Sequence, residues 1–327
     1  MTRLVSRRGD LSGEKADLIV HFHFEGDDSP ASATDPRFRE AITAVLKGDR
    51  FEGKADASLL WHGDGRRPAS RYLVQGLGRR ESFGPDVLHR AAAAAGSKGL
   101  GLKVRRAGVA LAPPSAWGLK PEDAVRTAAG GFLYGCYRFD KYLSTATSAG
   151  GPAELAVGTQ RADPGQFREA LQEVRVVDRV LRLARDLVSE HAGYLHPGRM
   201  AEVARREARR AGIECRIRDE AEMRRLGMGG MLGVARGSEH PAVLAHLRYR
   251  PRRGGSRKTP KVVLVGKGVT FDAGGISLKQ ADGMEAMKAD IRGIPRDNPA
   301  PFGNRVVSFL MTLSGAIILA GIVYYGF

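Results

Sequence analysis

The sequence predicts an α/β fold in which helices flank a largely parallel sheet. Short apolar runs rich in β-branched and aromatic residues alternate with helical stretches along the first 160 residues, and this alternation is typical of parallel sheets. The composition agrees, because 43% hydrophobic and 27% charged residues are ordinary for a globular protein. A length of 327 residues indicates about two domains.

The first half of the chain contains the clearest alternation of strands and helices. Residues 17–24, with the letters DLIVHFHF, have the alternating character of a strand. A run of five alanines within residues 84–97 predicts a long helix, because alanine is the strongest helix former. The other predicted strands are 58–62, 71–75, 108–112 and 153–158, and the other predicted helices are 36–46 and 121–137.

A second α/β region begins with a long amphipathic helix at 163–190, where apolar residues recur at helical spacing. The next helix, at 197–212, ends on Gly212, a residue that is common just after helix C-termini. After residue 212 the predicted elements are shorter, and helices and strands follow one another without a regular order. The pattern predicts a helix at 220–226 and strands at 213–218, 232–236, 242–249 and 262–265.

Positive charge is in excess, since 52 Lys and Arg residues against 36 Asp and Glu residues give a net charge of +16. Much of the excess lies in arginine pairs that are spread along the chain. A spread excess favours a nucleic-acid groove less than one basic stripe would, and no aromatic-basic module is visible. Nucleic-acid binding is therefore not favoured. Anionic lipid headgroups or an acidic partner would also suit this charge.

Two histidines, His21 and His23, lie two residues apart on one face of the predicted strand 17–24. This spacing could form a metal pair, but histidines packed within a strand are commoner. The packed interpretation is therefore favoured.

The residues that carry chemistry lie in the stretch 261–293, KVVLVGKGVTFDAGGISLKQADGMEAMKADIRG. It contains Lys267, Asp272, Lys279 and Asp290, close to glycines that let a backbone approach a ligand. Hard divalent cations prefer carboxylate oxygens, and a lysine amine can bind a metal only where burial and the metal lower its pKa. The stretch therefore predicts a metal-dependent active site.

The letters VGKGVTFDAGGISLK, followed shortly by GMEAMKAD, closely resemble the signature of the leucyl aminopeptidase family of two-metal exopeptidases. The resemblance is strong at residues 130–144 and 184–251, and it covers roughly residues 4–293. It implies a macro-like α/β domain at the N-terminus and an aminopeptidase-type α/β catalytic domain after it.

The resemblance also implies roles for individual residues. Lys267, Asp272 and Asp290 match metal-binding positions, and Asp272 matches the carboxylate that bridges the two metals. Lys279 matches the catalytic lysine that stabilises the tetrahedral oxyanion. In such enzymes the two metals activate a bridging water and polarise the scissile carbonyl.

The family pattern is not followed after Asp290. A later NTDAEGR-type segment, which supplies the remaining carboxylate ligands and an arginine in the family, has no counterpart in the residues that follow. We therefore expect a truncated catalytic domain with a vestigial site, no cofactor, and loss of the ancestral zinc or manganese pair. The retained lysines and aspartates could instead form a buried salt-bridge network.

The stretch 306–327 contains no charged residue and could cross the roughly 30 Å hydrocarbon core as one helix. A buried core helix or a pair of buried strands is the alternative. Small residues in this stretch suggest contact with other membrane helices. The predicted anchor residues are Val306, Phe309, Leu313, Ile317, Ile318, Leu319, Ile322, Tyr324 and Tyr325, and the predicted helix-packing residues are Gly315, Ala316 and Gly321.

These patterns predict four regions. They are an N-terminal α/β domain at 1–160, a truncated aminopeptidase-like domain at 161–293, a Pro-rich linker at 294–305 and a transmembrane helix at 306–327. Arginines precede the apolar stretch and no charge follows it. The positive-inside rule then places the body on the cytoplasmic side of a bacterial-type inner membrane.

The leading hypothesis from the sequence is an inactive pseudoenzyme. It would serve as an accessory subunit of a larger membrane protein complex, for example a respiratory or photosynthetic one, and would contact the lipid bilayer through its last helix. The family hexamer is not expected. The first alternative is an active, metal-dependent leucyl aminopeptidase that releases N-terminal amino acids. The second is an arginine-rich DNA-binding module.

Overall fold

The computed structural model describes most of the chain, namely residues 2–63, 65, 67–144, 151–160, 167–249, 266 and 268–289. The chain divides into two compact units, residues 1–179 and 180–327. The domain boundary expected at residue 160 stays a prediction.

The described part of the first unit is built on a six-stranded sheet. Its strands are β1 (Arg3–Arg8), β2 (Leu18–Phe24), β3 (Ser58–His62), β4 (Arg71–Gly78), β5 (Arg106–Ala110) and β6 (Glu154–Thr159). The strand order is β1-β6-β5-β2-β4-β3, and each neighbouring pair is parallel except β3 and β4. The predicted largely parallel sheet is therefore confirmed. Strand β2 lies inside the sheet and is buried along its whole length, including the two histidines of its alternating half.

The sequence patterns did not identify β1. Its letters, RLVSRR, include three arginines and no apolar run. It pairs only with β6 among the described strands and so lies at one edge of the sheet, where charged side chains are common because they discourage pairing with another chain.

Helices cover both faces of this sheet. They are α1 (Pro36–Gly48), α2 (Pro85–Gly101), the short α3 (Pro114–Trp117), α4 (Pro121–Gly135) and α5 (Arg168–Ser189), which begins in the first unit. Successive side chains of a strand point to opposite faces. Accordingly, Val20 of β2 packs in the core cluster that contains residues of α2 and α4, whereas Ile19 packs in the cluster that contains residues of α1.

Helices α2 and α4 approach each other closely because of glycine. A Cβ atom built on Gly96 would lie 2.0 Å from the carbonyl oxygen of Phe132, and one built on Gly131 would lie 2.5 Å from that of His89. A side chain at either position would overlap the backbone of the other helix. The hydrogen atom of glycine is what allows this spacing.

The two strand histidines are packed inside the first unit. His21 is fully buried beside the rings of Phe38 and Tyr72, and its Nδ1 atom lies 2.9 Å from Ser32 Oγ. Burial lowers the pKa of His21 to about 4, although the nearby Asp10 carboxylate acts in the opposite direction. Removing an imidazolium from water is costly, so the neutral form is favoured here.

The described part of the second unit contains the end of α5 and a smaller set of elements. These are α6 (Pro197–Ala211), β7 (Glu214–Arg218), α7 (Glu220–Arg225), α8 (Gly229–Ala235), β8 (Leu244–Arg248) and a 3₁₀ helix (Met284–Ala289). Strands β7 and β8 pair antiparallel. Gly212 follows α6 in the left-handed conformation, as its position in the sequence predicts.

The strand predicted at 232–236 is wrong, because most of these residues belong to α8. A short apolar run is compatible with either a strand or a buried helix. Tertiary contacts favour the helix, since Met231 packs against Met223 and Ala242 in one small core cluster.

The helices of the described residues include none that is long and apolar enough to cross a membrane. The predicted strand 262–265, the linker 294–305 and the transmembrane helix 306–327 all lie outside the described residues.

Candidate active site

Two of the four predicted site residues are described, and the structure brings them together. The Nζ atom of Lys279 donates a hydrogen bond to Asp272 Oδ2 at 2.8 Å. Lys267 and Asp290, the other two, lie outside the described residues. The site therefore contains at least one carboxylate and ammonium pair.

A glycine turn holds the carboxylate. The backbone N–H of Gly274 donates to Asp272 Oδ1 at 2.9 Å, and the N–H of Lys279 donates to the carbonyl oxygen of Ala273 at 3.0 Å. Gly274 has a φ of +91°, and a Cβ atom there would lie 2.4 Å from the carbonyl oxygen of Ser277. Only glycine fits this combination of dihedral angle and space.

The ammonium group of Lys279 has a second described partner. Met287, on the 3₁₀ helix, accepts a hydrogen bond at its Sδ atom over 3.1 Å. The next residue, Lys288, donates from Nζ to the carbonyl oxygen of Ser189 at 3.2 Å. The 3₁₀ helix thus contacts both the site and the C-terminal end of α5.

The carboxylate and ammonium pair is accessible to solvent. The side chains of Lys279 and Asp272 are 37% and 35% exposed. An ion pair this exposed contributes on the order of 1 kcal/mol or less to folding, because water screens it. These two residues therefore do not form the buried salt-bridge network that the sequence analysis kept as an alternative.

The carboxylate of Asp272 suits a divalent cation. One oxygen is oriented by a backbone N–H and the other already faces a cation, and carboxylate oxygen is a preferred ligand of such ions. One carboxylate alone does not make a metal site. The described residues contain no group of three or more His, Cys, Asp or Glu side chains that could hold a metal. Two further candidate ligands, Lys267 and Asp290, lie outside this part of the chain.

The contacts of Met287 and Lys288 were not found from the sequence. They depend on the path of the loop between Asp272 and the 3₁₀ helix, and this path has no regular period. The short interval between the two motif segments was the one available signal, because it keeps Met287 and Lys288 close to Lys279 along the chain.

Family comparisons match both parts of the chain. A model described as the cytosol aminopeptidase family, N-terminal domain, matches residues 7–146. A second, described as the catalytic domain of the same family, matches residues 182–294. Together they cover more than half of the chain, and the second includes Asp272 and Lys279.

Curated relatives have consistent names. A protein of Geobacter sp. (strain M21), named probable cytosol aminopeptidase, is 37% identical over 265 residues, which are 80% of this chain and 52% of the relative. A protein of Solibacter usitatus with the same name is 35% identical over 292 residues, 89% of this chain and 57% of the relative. The chain spans about half the length of the curated relatives it matches.

Solved structures are also similar. The bottromycin maturation enzyme BotP in complex with Mn has a TM-score of 0.66 and 31% identity, and the match covers 84% of this chain and 53% of that one. A tomato leucine aminopeptidase mutant has a TM-score of 0.71 over 84% of this chain and 55% of that one. Its 24% identity supports the shared fold alone.

These findings overturn several expectations from the sequence. The inactive accessory subunit is wrong, and so is the pseudoenzyme assignment, because the relatives are named as peptidases. The expected absence of a metal cofactor is wrong as well, since a similar enzyme was solved with manganese. The membrane location is contradicted by relatives that are named for the cytosol.

The inactive interpretation depended on the family segment that has no counterpart after Asp290. The chain spans about half the length of the curated relatives it matches, so this missing segment is not evidence that the site is inactive.

Proposed function

Because the chain belongs to the cytosol aminopeptidase family, we propose that it acts in a metal-dependent aminopeptidase, which releases amino acids from the N-termini of peptides. The observation that carries the proposal is the hydrogen bond of 2.8 Å between Lys279 and Asp272, in a loop within the catalytic-domain match. The sequence indicated this function as the first alternative to an inactive protein.

Three residues of this chain would hold the metal. Asp272 is the described ligand, and Lys267 and Asp290 are the further candidates. The family resemblance and the manganese complex of a similar enzyme both favour zinc or manganese. When bound, such an ion polarises a carbonyl group and lowers the pKa of a bound water. The N–H of Gly274 fixes the direction of the Asp272 carboxylate.

The ammonium group of Lys279 would stabilise negative charge on the substrate carbonyl oxygen. A lysine ammonium has three donors. In the described structure Asp272 and Met287 accept from two of them. The third donor can therefore bind a substrate oxygen while the other two keep the group oriented. A donor held in advance costs no reorganisation during the reaction.

We also propose that residues 1–160 form a macro-like α/β domain and residues 161–293 an aminopeptidase-type domain. The family resemblance supports both, as do the family models that match residues 7–146 and 182–294. That the chain binds no nucleic acid and does not form the family hexamer stays a prediction.

The test is hydrolysis of leucine p-nitroanilide by the purified chain with added Mn²⁺ or Zn²⁺, together with elemental analysis of the retained metal. We expect metal-dependent hydrolysis by the wild type and loss of both hydrolysis and retained metal in Asp272→Asn. Asp282→Asn changes an exposed carboxylate of the same stretch and should behave like the wild type. No hydrolysis and no bound metal in the wild type would refute the proposal.

A further inference from the structure

The 3₁₀ helix beside the site contacts two different parts of the second unit. We propose that Lys288 is a positioning residue, which anchors this helix to the end of α5 and thereby holds Met287 against the ammonium group of Lys279. The role rests on the proposed function, because it concerns the geometry of the lysine that would stabilise the oxyanion.

The anchor is a charged hydrogen bond to a helix C-terminus. Lys288 Nζ lies 3.2 Å from the carbonyl oxygen of Ser189, the last residue of α5. The last carbonyl groups of a helix have no partner within the helix and carry partial negative charge. A lysine ammonium is therefore a favourable partner at this point.

Adjacent residues of the 3₁₀ helix face different neighbours. A 3₁₀ helix has three residues per turn, so consecutive side chains point about 120° apart. This spacing allows Lys288 to contact α5 while Met287 contacts Lys279, and both side chains are half-buried. The helix is thus a short bridge between the end of α5 and the site.

The bridge needs an anchor because it is short. The 3₁₀ helix has six residues, and such helices are rarely stable beyond a few residues without outside contacts. The segment before it, near Gly283, includes a positive φ of +81° and provides no regular structure. The bond from Lys288 therefore limits how far the helix can move from the site.

The thioether of Met287 is suited to orient the ammonium group of Lys279. A thioether sulfur is a weak acceptor without charge. Met287 can therefore direct one N–H of Lys279 without competing with Asp272 for the positive charge. Leucine has a similar size but no acceptor, so Met287→Leu separates packing from the hydrogen bond.

The first experiment measures the anchor without using catalysis. Backbone amide exchange is followed in residues 271–289 of the full chain. We expect about tenfold faster exchange in Lys288→Met, because a hydrogen bond from a charged donor is lost. Lys288→Arg keeps a cationic donor and should stay near the wild type. Lys98→Met is the matched control, since Lys98 is also half-buried and donates one hydrogen bond, to Ser58 Oγ at 2.9 Å.

The second experiment measures the ammonium group. Acetylation of Lys279 by an N-hydroxysuccinimide ester at one fixed pH is read by mass spectrometry, with the exposed Lys47 as internal reference. We expect several-fold faster labelling of Lys279 in both Lys288→Met and Met287→Leu. In the hydrolysis assay both variants should lower kcat more than they change KM. Lys288→Arg should keep kcat near the wild-type value.

Each outcome decides one claim. Unchanged exchange in Lys288→Met would refute the anchor. Faster exchange with unchanged labelling of Lys279 would reduce Lys288 to a structural residue and overturn the positioning role. If the wild type hydrolyses nothing, the proposed function fails. Exchange and labelling then still decide whether Lys288 and Met287 position Lys279.

Discussion

At the scale of single residues, two neighbouring glycines in the site loop have different surroundings. Gly274 and Gly275 both have positive φ, +91° and +67°. A Cβ atom on Gly274 would meet the carbonyl oxygen of Ser277, whereas one on Gly275 would meet no atom of the described residues within 4 Å. Both positions therefore need a residue that tolerates positive φ. Gly274 must in addition be small enough to fit against the carbonyl oxygen of Ser277.

This difference predicts unequal effects of alanine. Gly275→Ala should cost about 1 kcal/mol of local stability, the usual penalty for a left-handed residue. Gly274→Ala should displace the turn and the Asp272 carboxylate with it, and should reduce hydrolysis by more than tenfold. The measurements are hydrolysis rates and amide exchange in residues 271–279. Equal effects of the two substitutions would contradict the steric argument.

His21 makes the stability of the first unit depend on pH. Its folded pKa of about 4 lies below the unfolded value of about 6.5, so unfolding takes up a proton between these values. The contribution of the neutral imidazole is complete above about pH 6.5 and is lost as the pH falls toward 4. Full loss corresponds to on the order of 3 kcal/mol.

The prediction is that His21→Gln reduces the loss of stability between pH 6.5 and pH 4. Denaturant unfolding can be followed by the fluorescence of Trp61 and Trp117, the two tryptophans of the chain. Some loss will remain, because burial also lowers the pKa of His23 and His89. His62→Gln changes an exposed histidine and should keep the slope of the wild type. If stability falls with pH as steeply in His21→Gln as in the wild type, His21 is not the source of this pH dependence.

At the scale of elements, the packing of α2 on α4 depends on which glycine faces the other helix. Gly131 faces the backbone of α2 at His89, whereas a Cβ atom built on its neighbour Gly130 would have no atom within 4 Å in the part of the chain that the structure describes. Alanine favours helices over glycine by about 1 kcal/mol wherever space allows. Substitution by alanine should therefore lower the free energy of unfolding at Gly131 and raise it at Gly130.

We expect Gly131→Ala to destabilise the protein by about 2 kcal/mol, because the new methyl group forces the helices apart. Gly130→Ala should stabilise it by about 0.5–1 kcal/mol. Urea unfolding of both variants provides the comparison. A neutral result for Gly131→Ala would mean that the helices can separate at little cost.

At the scale of the whole molecule, the net charge of +16 opposes folding through repulsion. Many of the described ion pairs are exposed and contribute little. Raising the salt concentration from about 20 to about 200 mM shortens the Debye length from about 20 to about 7 Å. We therefore expect the thermal unfolding midpoint to rise by a few degrees. A fall would show that ion pairs outweigh the repulsion.

The sequence by itself determined the fold class and the family, because both depend on local patterns. Runs of strand-like residues such as 17–24 predict strands wherever they lie, and the motif around Asp272 and Lys279 can be recognised from the order of its residues alone. The apolar run at 232–236 shows the limit of this reasoning. Its helix is decided by contact with Met223, which no local period encodes.

Only the tertiary structure decided what surrounds the site. The bond from Lys279 to Asp272 requires the turn at Gly274, and the bond from Lys288 to Ser189 joins residues 99 positions apart. Such contacts depend on the path of the chain through space, which residue types along the sequence do not record. A motif can therefore name the residues of a site, but folding decides which atoms hold them in place.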